Sequence, residues 1–374
     1  MDTPRRIRAL TSRFRIRRSK ALRDLCYTIY HQGTIYSASV EAVPFLLEIV
    51  AASDVPDRTQ TLQILRELST GCSFHEAHAS GFFHREESKP PEWQEKVREE
   101  KAWVTAIHER LSAAVPLIAA VLQKGNASER LAAVSLLAML QDNAGAVDAL
   151  GVAALDADPA ISASALSAIG ARNETSVRLC EQCFERGANE LVRTVAAIQI
   201  LYYSNDNPHG NLVEYLLNHL RCPQPKVRKA YEALPDAEQF LGDLGKAFAC
   251  APGSSAEEAF PLLFEEVKRS PYKLNPSENF GILILAVALN PPPNRDWTTI
   301  TLTPQQRAAI RMVADRAWQI DNGVPSTTLN IVEVIEKVGL PGKREALFAL
   351  LAGTPEGAQT PKEEAMWSSW LRVF

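Results

Sequence analysis

Cys72, His75, His78 and His84 fall close together in one stretch of the chain. A thiolate and imidazoles are the ligand types that hold zinc. Their Cys-x2-His-x2-His spacing is not that of a zinc finger, however, and a structural site needs four closed ligands, so no metal is expected. Cys180 and Cys183 form a Cys-x-x-Cys pair. A redox pair belongs at a helix N-terminus, where the thiol pKa is lowered. This one lies in the middle of the helix expected at Val177–Arg186, and reads as two buried thiols facing a neighbouring helix. The chain contains no Gly-x-Ser-x-Gly, Gly-x-Gly-x-x-Gly or His-Glu-x-x-His motif. Gly339-Leu340-Pro341-Gly342-Lys343 lacks the strand, the first glycine and the Ser/Thr of a phosphate loop. The expectation is a protein with no enzymatic activity and no cofactor.

Other residues point to binding. Phe74, Phe82, Phe83 and Trp93 lie with His75, His78 and His84 in residues 71–96, which lack helical periodicity and contain Lys89-Pro90-Pro91. Loops of that length are commonly functional. The aromatics serve either as anchors for a protein partner or as packing onto the chain's own surface. His31-Gln32-Gly33 is a second polar cluster. Gly33 reads as a helix C-cap with His31 at the negative helix end, and Tyr36 closes the turn by hydrogen bonding.

A third group is electrostatic. Arg5, Arg6, Arg8, Arg13, Arg15, Arg17, Arg18, Lys20 and Arg23 face only Asp2 in the first 23 residues. Such an arm binds phosphate or an acidic partner, acts as an Arg-rich transit peptide, or is the solvated face of a first helix. Ala21, Leu22, Leu25 and Ile29 give that helix its spacing over residues 17–31.

The elements that must carry these groups are helical. Ala42-Val43-Pro44-Phe45-Leu46 and Ala114-Val115-Pro116-Leu117-Ile118 repeat one signature, each expected inside a helix that its proline bends. Val115, Val147, Val177 and Val213 open similar apolar segments at spacings of 32, 30 and 36 residues. A period of that size marks a solenoid of antiparallel helix pairs. The sequence predicts helices at 97–123, 129–140 (capped by Ser128), 144–155, 160–170, 174–186, 189–203, 211–221 and 225–234. Ala132, Ala133, Ala163, Ala165, Ala196 and Ala197 let helix backbones approach. Beyond Pro235 the repeat weakens into irregular helices out to 361–371, with one candidate strand at Thr298–Thr303. The organisation is therefore a repeat region over 1–234 with an insertion at 71–96, then a helical region over 235–374.

Composition agrees. The chain has 374 residues, is 46% hydrophobic and carries a net charge of −4, which implies no general nucleic-acid-binding surface. Six cysteines in a chain this long read as reduced thiols in a cytoplasmic protein. No apolar run approaches the roughly 20 residues needed to span a bilayer, and there is no apolar signal-peptide core, so no membrane partner is expected.

These features resemble HEAT repeats, the paired-helix units of α-solenoid scaffolds. Pro225-Lys226-Val227-Arg228-Lys229-Ala230 matches the unit's turn, and Asp158-Pro159-Ala160-Ile161-Ser162 is a degraded copy. His31-Gln32-Gly33, Tyr36 and Ala42-Val43-Pro44-Phe45-Leu46 resemble the opening of a group of bacterial HEAT-repeat proteins with a long insertion after the second repeat. The resemblance implies a protein-binding scaffold that uses a concave face and the 71–96 insertion, with an immunity or adaptor role by analogy. A HEAT-like DNA glycosylase or other nucleic-acid protein using the basic arm is the alternative. The di-iron HEAT hydroxylases place His-Glu pairs on successive repeats. His75-Glu76 and His108-Glu109 match that spacing, but such a site needs four pairs and this chain has two.

Overall fold

The computed structural model describes residues 3–31, 33–56, 58–77, 91–203, 210–237, 239–251, 253–270, 276–289, 297, 301–321, 324–327 and 329–353. Over these residues the protein is all-α, with two small β-hairpins. The chain separates into two compact units, Met1–Ile169 and Gly170–Phe374. Among the described residues no single helix is long and apolar enough to cross a membrane.

The first unit contains α1 (Thr3–Ala9), α2 (Arg15–Ile29), β1 (Tyr30–His31), β2 (Thr34–Ile35), α3 (Ser37–Ala51), α4 (Arg58–Ser69), α5 (Phe74–Ala77), α6 (Pro91–Ala113), α7 (Val115–Lys124), α8 (Ala127–Ala138), α9 (Ala144–Ala153) and α10 (Pro159–Ile169). Sequential neighbours pack as pairs: α3 on α4, α7 on α8 and α9 on α10. Helices also pack across pairs, α4 on α8 and α8 on α10, and α7 on α9. The reason lies in the sequence of α8. Every residue from Ala132 to Ala138 is buried, because this helix is apolar on all sides and has neighbours on all sides. Its first turn is closed by Asn126, whose side chain accepts from Glu129 N while Glu129 returns a bond to Asn126 N, both at 3.1 Å. Asn126, not Ser128, is the cap.

The two Ala-Val-Pro segments do not behave alike. Pro44 sits inside α3, which continues through it. Residues 97–123 are not one long helix as predicted: the chain breaks at Ala114, and the axes of Glu92–Ala113 and Val115–Lys124 meet at 52°. Pro116 opens α7, where its missing N–H costs nothing. Inside α3 the missing N–H matters, since it leaves the Val40 carbonyl without its helical partner. The Arg110 guanidinium of α6 donates to that carbonyl. The first residues of α6 fall in the stretch expected to be irregular. Pro91 instead starts the helix with Glu92 in its first turn, a favourable opening in both respects.

The second unit contains α11 (Glu174–Arg186), α12 (Glu190–Tyr203), α13 (Gly210–Arg221), α14 (Pro225–Glu232), α15 (Phe240–Cys250), α16 (Ser254–Arg269), α17 (Pro276–Leu289), α18 (Pro304–Ala317), β3 (Trp318–Asp321), β4 (Val324–Thr327), α19 (Leu329–Lys337) and α20 (Arg344–Ala352). The buried helices α12, α15, α17 and α19 pack in that succession, and α13, α16, α18 and α20 do the same beside them. The contact of α15 with α17 is made by glycine. A Cβ on Gly245 would come within 2.5 Å of the Gly281 carbonyl carbon, and one on Gly281 within 2.5 Å of the Gly242 oxygen. The two backbones therefore touch. The β3–β4 hairpin, with Trp318 opposite Thr327, follows α18 where the sequence led only to irregular helices. Asn322-Gly323 between the strands is the hairpin signal in the sequence. The candidate helix at 361–371 and residues 298–300 of the candidate strand lie outside the described residues, and residues 301–303 form no strand.

Candidate functional site

The His31–Tyr36 segment and the start of the insertion, far apart in sequence, form one structure. Helix α2 ends at Ile29 because Tyr30 turns extended, at φ −152° and ψ 127°. The chain doubles back at once, pairing Tyr30 with Ile35 and His31 with Thr34. Gly33 stands in that two-residue turn at φ +86°, a conformation glycine adopts without strain. It is a hairpin residue and not the helix cap expected from the sequence, so His31 lies on a strand and not at a helix end. Cys72 then adds an isolated parallel bridge to the hairpin: its N–H donates to Gly33 O at 2.8 Å, and its carbonyl accepts from Ile35 N at 3.3 Å. A side chain at Gly71 would collide with Ile35. On the other side Tyr36 caps α3 through its backbone, with its N–H donating to Ser39 Oγ at 2.8 Å while that hydroxyl donates to Ile29 O.

Glu100 of α6 fixes the next residues. Its Oε2 accepts from Ser73 Oγ at 2.6 Å and from His75 N at 2.9 Å, and its Oε1 bonds His75 Nδ1 at 2.6 Å. Trp93, two helical turns earlier on α6, sets its ring edge-on to His75 at 4.7 Å. Burial works to raise the Glu100 carboxyl, but the hydrogen bonds from Ser73 and His75 outweigh it and hold it below the usual carboxylate range. Chemically this is an anchor. Ser73 donates to the carboxylate and not to the imidazole, whereas nucleophilic catalysis pairs the hydroxyl with a ring nitrogen.

The predicted binding residues therefore divide. His75 and Trp93 are packed together in the anchor, half-buried. Phe74 is left 40% exposed beside them. His31 is exposed, with the Tyr27 ring 6.2 Å away, and Tyr36 is half-buried. Gln32, His78, Phe82, Phe83 and His84 lie outside the described residues. Among the described residues no group of three or more His, Cys, Asp or Glu side chains is placed to hold a metal ion. Cys180 and Cys183 are buried in α11; burial, then the neighbouring thiol and Glu181, push Cys180 up to about 12, the reverse of a redox thiolate.

The basic arm folds into α1 and α2. Arg6 donates to Asp24 O at 2.8 Å and to Thr28. Arg18 is buried and donates to Ser12 O at 2.8 Å. These two bind the chain itself, because their side chains point into the α1–α2 corner. Arg5, Arg8, Arg13, Arg15 and Arg17 are exposed.

Sequence reasoning missed a polar cluster in the second unit. Tyr215 OH donates to Glu190 Oε1 at 2.8 Å and lies 2.9 Å from Thr194 Oγ1, which is 3.2 Å from His219 Nε2. Arg193 stacks over Tyr215 at 4.9 Å. Burial pushes the Tyr215 hydroxyl up and the His219 imidazole down, so both stay neutral near neutral pH. Helical spacing is the only sequence signal for it: Glu190 and Thr194 lie on one face of α12, Tyr215 and His219 on one face of α13.

The sequence matches no family model and no curated protein.

Proposed function

We propose that the chain is a non-enzymatic, cytoplasmic scaffold of the HEAT-like α-solenoid type. It binds another protein through the concave face of that solenoid and the 71–96 insertion. Two features support the repeat reading within each unit. Helices pack both within and across successive pairs. The recurring valines fall at or near the start of α7, α9, α11 and α13, and the first three of these helices each pack on the next helix in the chain. The resemblance to HEAT proteins adds an immunity or adaptor role by analogy.

The observation that carries the binding reading is the root of the insertion. Cys72 is paired to the hairpin, and Ser73 and His75 are held by Glu100, yet Phe74 between them faces solvent. A segment held rigidly at its root loses less conformational freedom when it binds. The test is affinity capture of candidate partners encoded near this chain, with Phe74→Ala, Phe82→Ala and Phe83→Ala combined. A partner weakened at least about 30-fold (the roughly 2 kcal/mol hot-spot threshold) at unchanged thermal midpoint supports the reading. A large fall in thermal midpoint with binding intact would make the insertion a packed lid instead.

A further inference from the structure

Charge is segregated in this chain. The first 23 residues hold nine basic side chains and one acidic, leaving 31 basic and 43 acidic in the remainder. The fold turns the basic segment outward. On α2 the stripe Arg18, Ala21, Leu25 and Ile29 is buried. The opposite face runs Ile16, Lys20, Arg23 and Tyr27, all exposed at helical spacing. Arg5 and Arg8 are exposed on α1, which Arg6 ties to α2 through Asp24 O and Thr28. Asp24 is the one acidic residue within these two helices.

The face is not simply basic. Ile16 is 85% exposed, Tyr27 68% and Phe14 48%, three of the seven large exposed apolar side chains among the described residues. Phe14 protrudes at the corner between the helices with the Arg13 and Arg17 guanidiniums over its ring at 4.8 and 5.1 Å. Cations that surround protruding apolar tips match a surface with phosphates outside and hydrocarbon just beneath.

We infer that the exposed face of α1 and α2 is a docking surface for an anionic phospholipid membrane. Arg13, Arg15, Arg17, Lys20 and Arg23 contact the headgroup phosphates, while Phe14, Ile16 and Tyr27 insert to the level of the upper acyl chains. The acidic remainder of the chain is repelled by the same surface, which orients the molecule arm-down. Nucleic acid fits less well. The Phe14 ring already carries two guanidiniums where a base would stack, and Ile16, the most exposed large apolar side chain among the described residues, has no π-face to offer one. Docking of this kind needs no spanning run, so it is compatible with the short apolar segments of the sequence. It also goes beyond the scaffold reading, since the face lies on α1 and α2 and not on the insertion.

The test is co-sedimentation of the full chain with vesicles of phosphatidylcholine containing about 30% phosphatidylserine, against vesicles of phosphatidylcholine alone. The expected result is binding that requires phosphatidylserine and weakens as salt is raised. Arg15→Ala, Arg17→Ala, Lys20→Ala and Arg23→Ala combined should weaken it by at least about a hundredfold, at about fivefold per cation. Lysine at the three arginine positions should retain it. Ile16→Glu should cost about tenfold or more, from the lost apolar insertion. All these side chains are exposed, and an unchanged circular dichroism spectrum shows the fold intact. Phe74→Ala, which weakens the protein partner on the scaffold reading, should leave vesicle binding unchanged. Equal binding to both vesicles, no binding to either, or tighter binding to single-stranded oligouridylate than to the anionic vesicles would overturn the inference. So would self-association of the chain that consumes the same arginines in place of vesicle binding.

Discussion

Arg110→Met tests the idea that one proline in α3 recruited a side chain from α6. Pro44 has no N–H, so Val40 O lacks its helical donor, and Arg110 supplies one across the gap. A hydrogen bond from a charged donor contributes about 1.5–3 kcal/mol, and most of that is lost if the acceptor is left without a partner. The same arginine lies 3.5 Å from Glu41, but Glu41 is 78% exposed, and a pair of that kind contributes about 0–1 kcal/mol. Methionine keeps the apolar stem. The expected cost is therefore about 2 kcal/mol, nearly all from the Val40 contact, and Glu41→Gln should cost under about 0.5 kcal/mol. The decisive measurement is a double-mutant cycle with Pro44→Ala, by urea unfolding of the full chain with a probe in the first unit. The Pro44→Ala change restores an N–H to Val40 O, so Arg110→Met in that background should cost less than about 1 kcal/mol, a coupling of at least about 1 kcal/mol. Pro44 is exposed, so the substitution meets no packing penalty. If Arg110→Met costs the same with or without Pro44→Ala, the arginine does not serve the proline's orphaned carbonyl, and the reasoning fails.

Glu100→Gln should release the root of the insertion, seen as faster hydrogen exchange at the amides of Cys72 and His75 with little change elsewhere. Glu100 is held below its ordinary value of 4.5, so its contribution is complete above that pH and is lost as pH falls through the folded value beneath it; protection that persists unchanged into strong acid would contradict the anchor. Gly245→Ala forces a Cβ into the Gly281 backbone and should destabilise the second unit by about 1–3 kcal/mol or more, whereas Gly151→Ala in α9, with open space around it, should stabilise by about 0.5–1 kcal/mol. Thermal scans in which both glycines tolerate alanine equally would refute the close backbone contact of α15 and α17. His219 is held below its ordinary 6.5, first by burial and then by Arg193. The unfolded chain therefore takes up the proton first, and the second unit should lose stability as pH falls below 6.5 and be flat above it. A His219 ring that titrates by NMR at or above 6.5 would show that this account of the cluster is wrong.

Most helices were legible because their cause is local. Apolar period, Asn or Pro at the start and Gly or Pro at the end suffice to place α9 to α14 within a few residues. The burial of Cys180 and Cys183 follows from the same periodicity. Where the chain changes direction, local signals gave the wrong element. Gly33 satisfies both a helix C-cap and a two-residue hairpin, and the pairing of Cys72 with Gly33 decides for the hairpin. Pro44 and Pro116 share one local sequence, and in each case a distant side chain takes the carbonyl four residues earlier, Arg110 at Val40 and Asn143 at Ser112, yet α3 runs through the first while the chain breaks before the second. The charge and apolar content of the arm were plain in the sequence. Which arginines face water and which are tied to the chain depended on α1 folding back on α2. The same holds for the site: the residue types around positions 31 and 72 were visible, but not that they form one ribbon, nor that Glu100 anchors it. Hydrogen-bond partners separated by dozens of residues leave no periodic trace in a chain, because their pairing is set by where helices pack and not by the residues beside them.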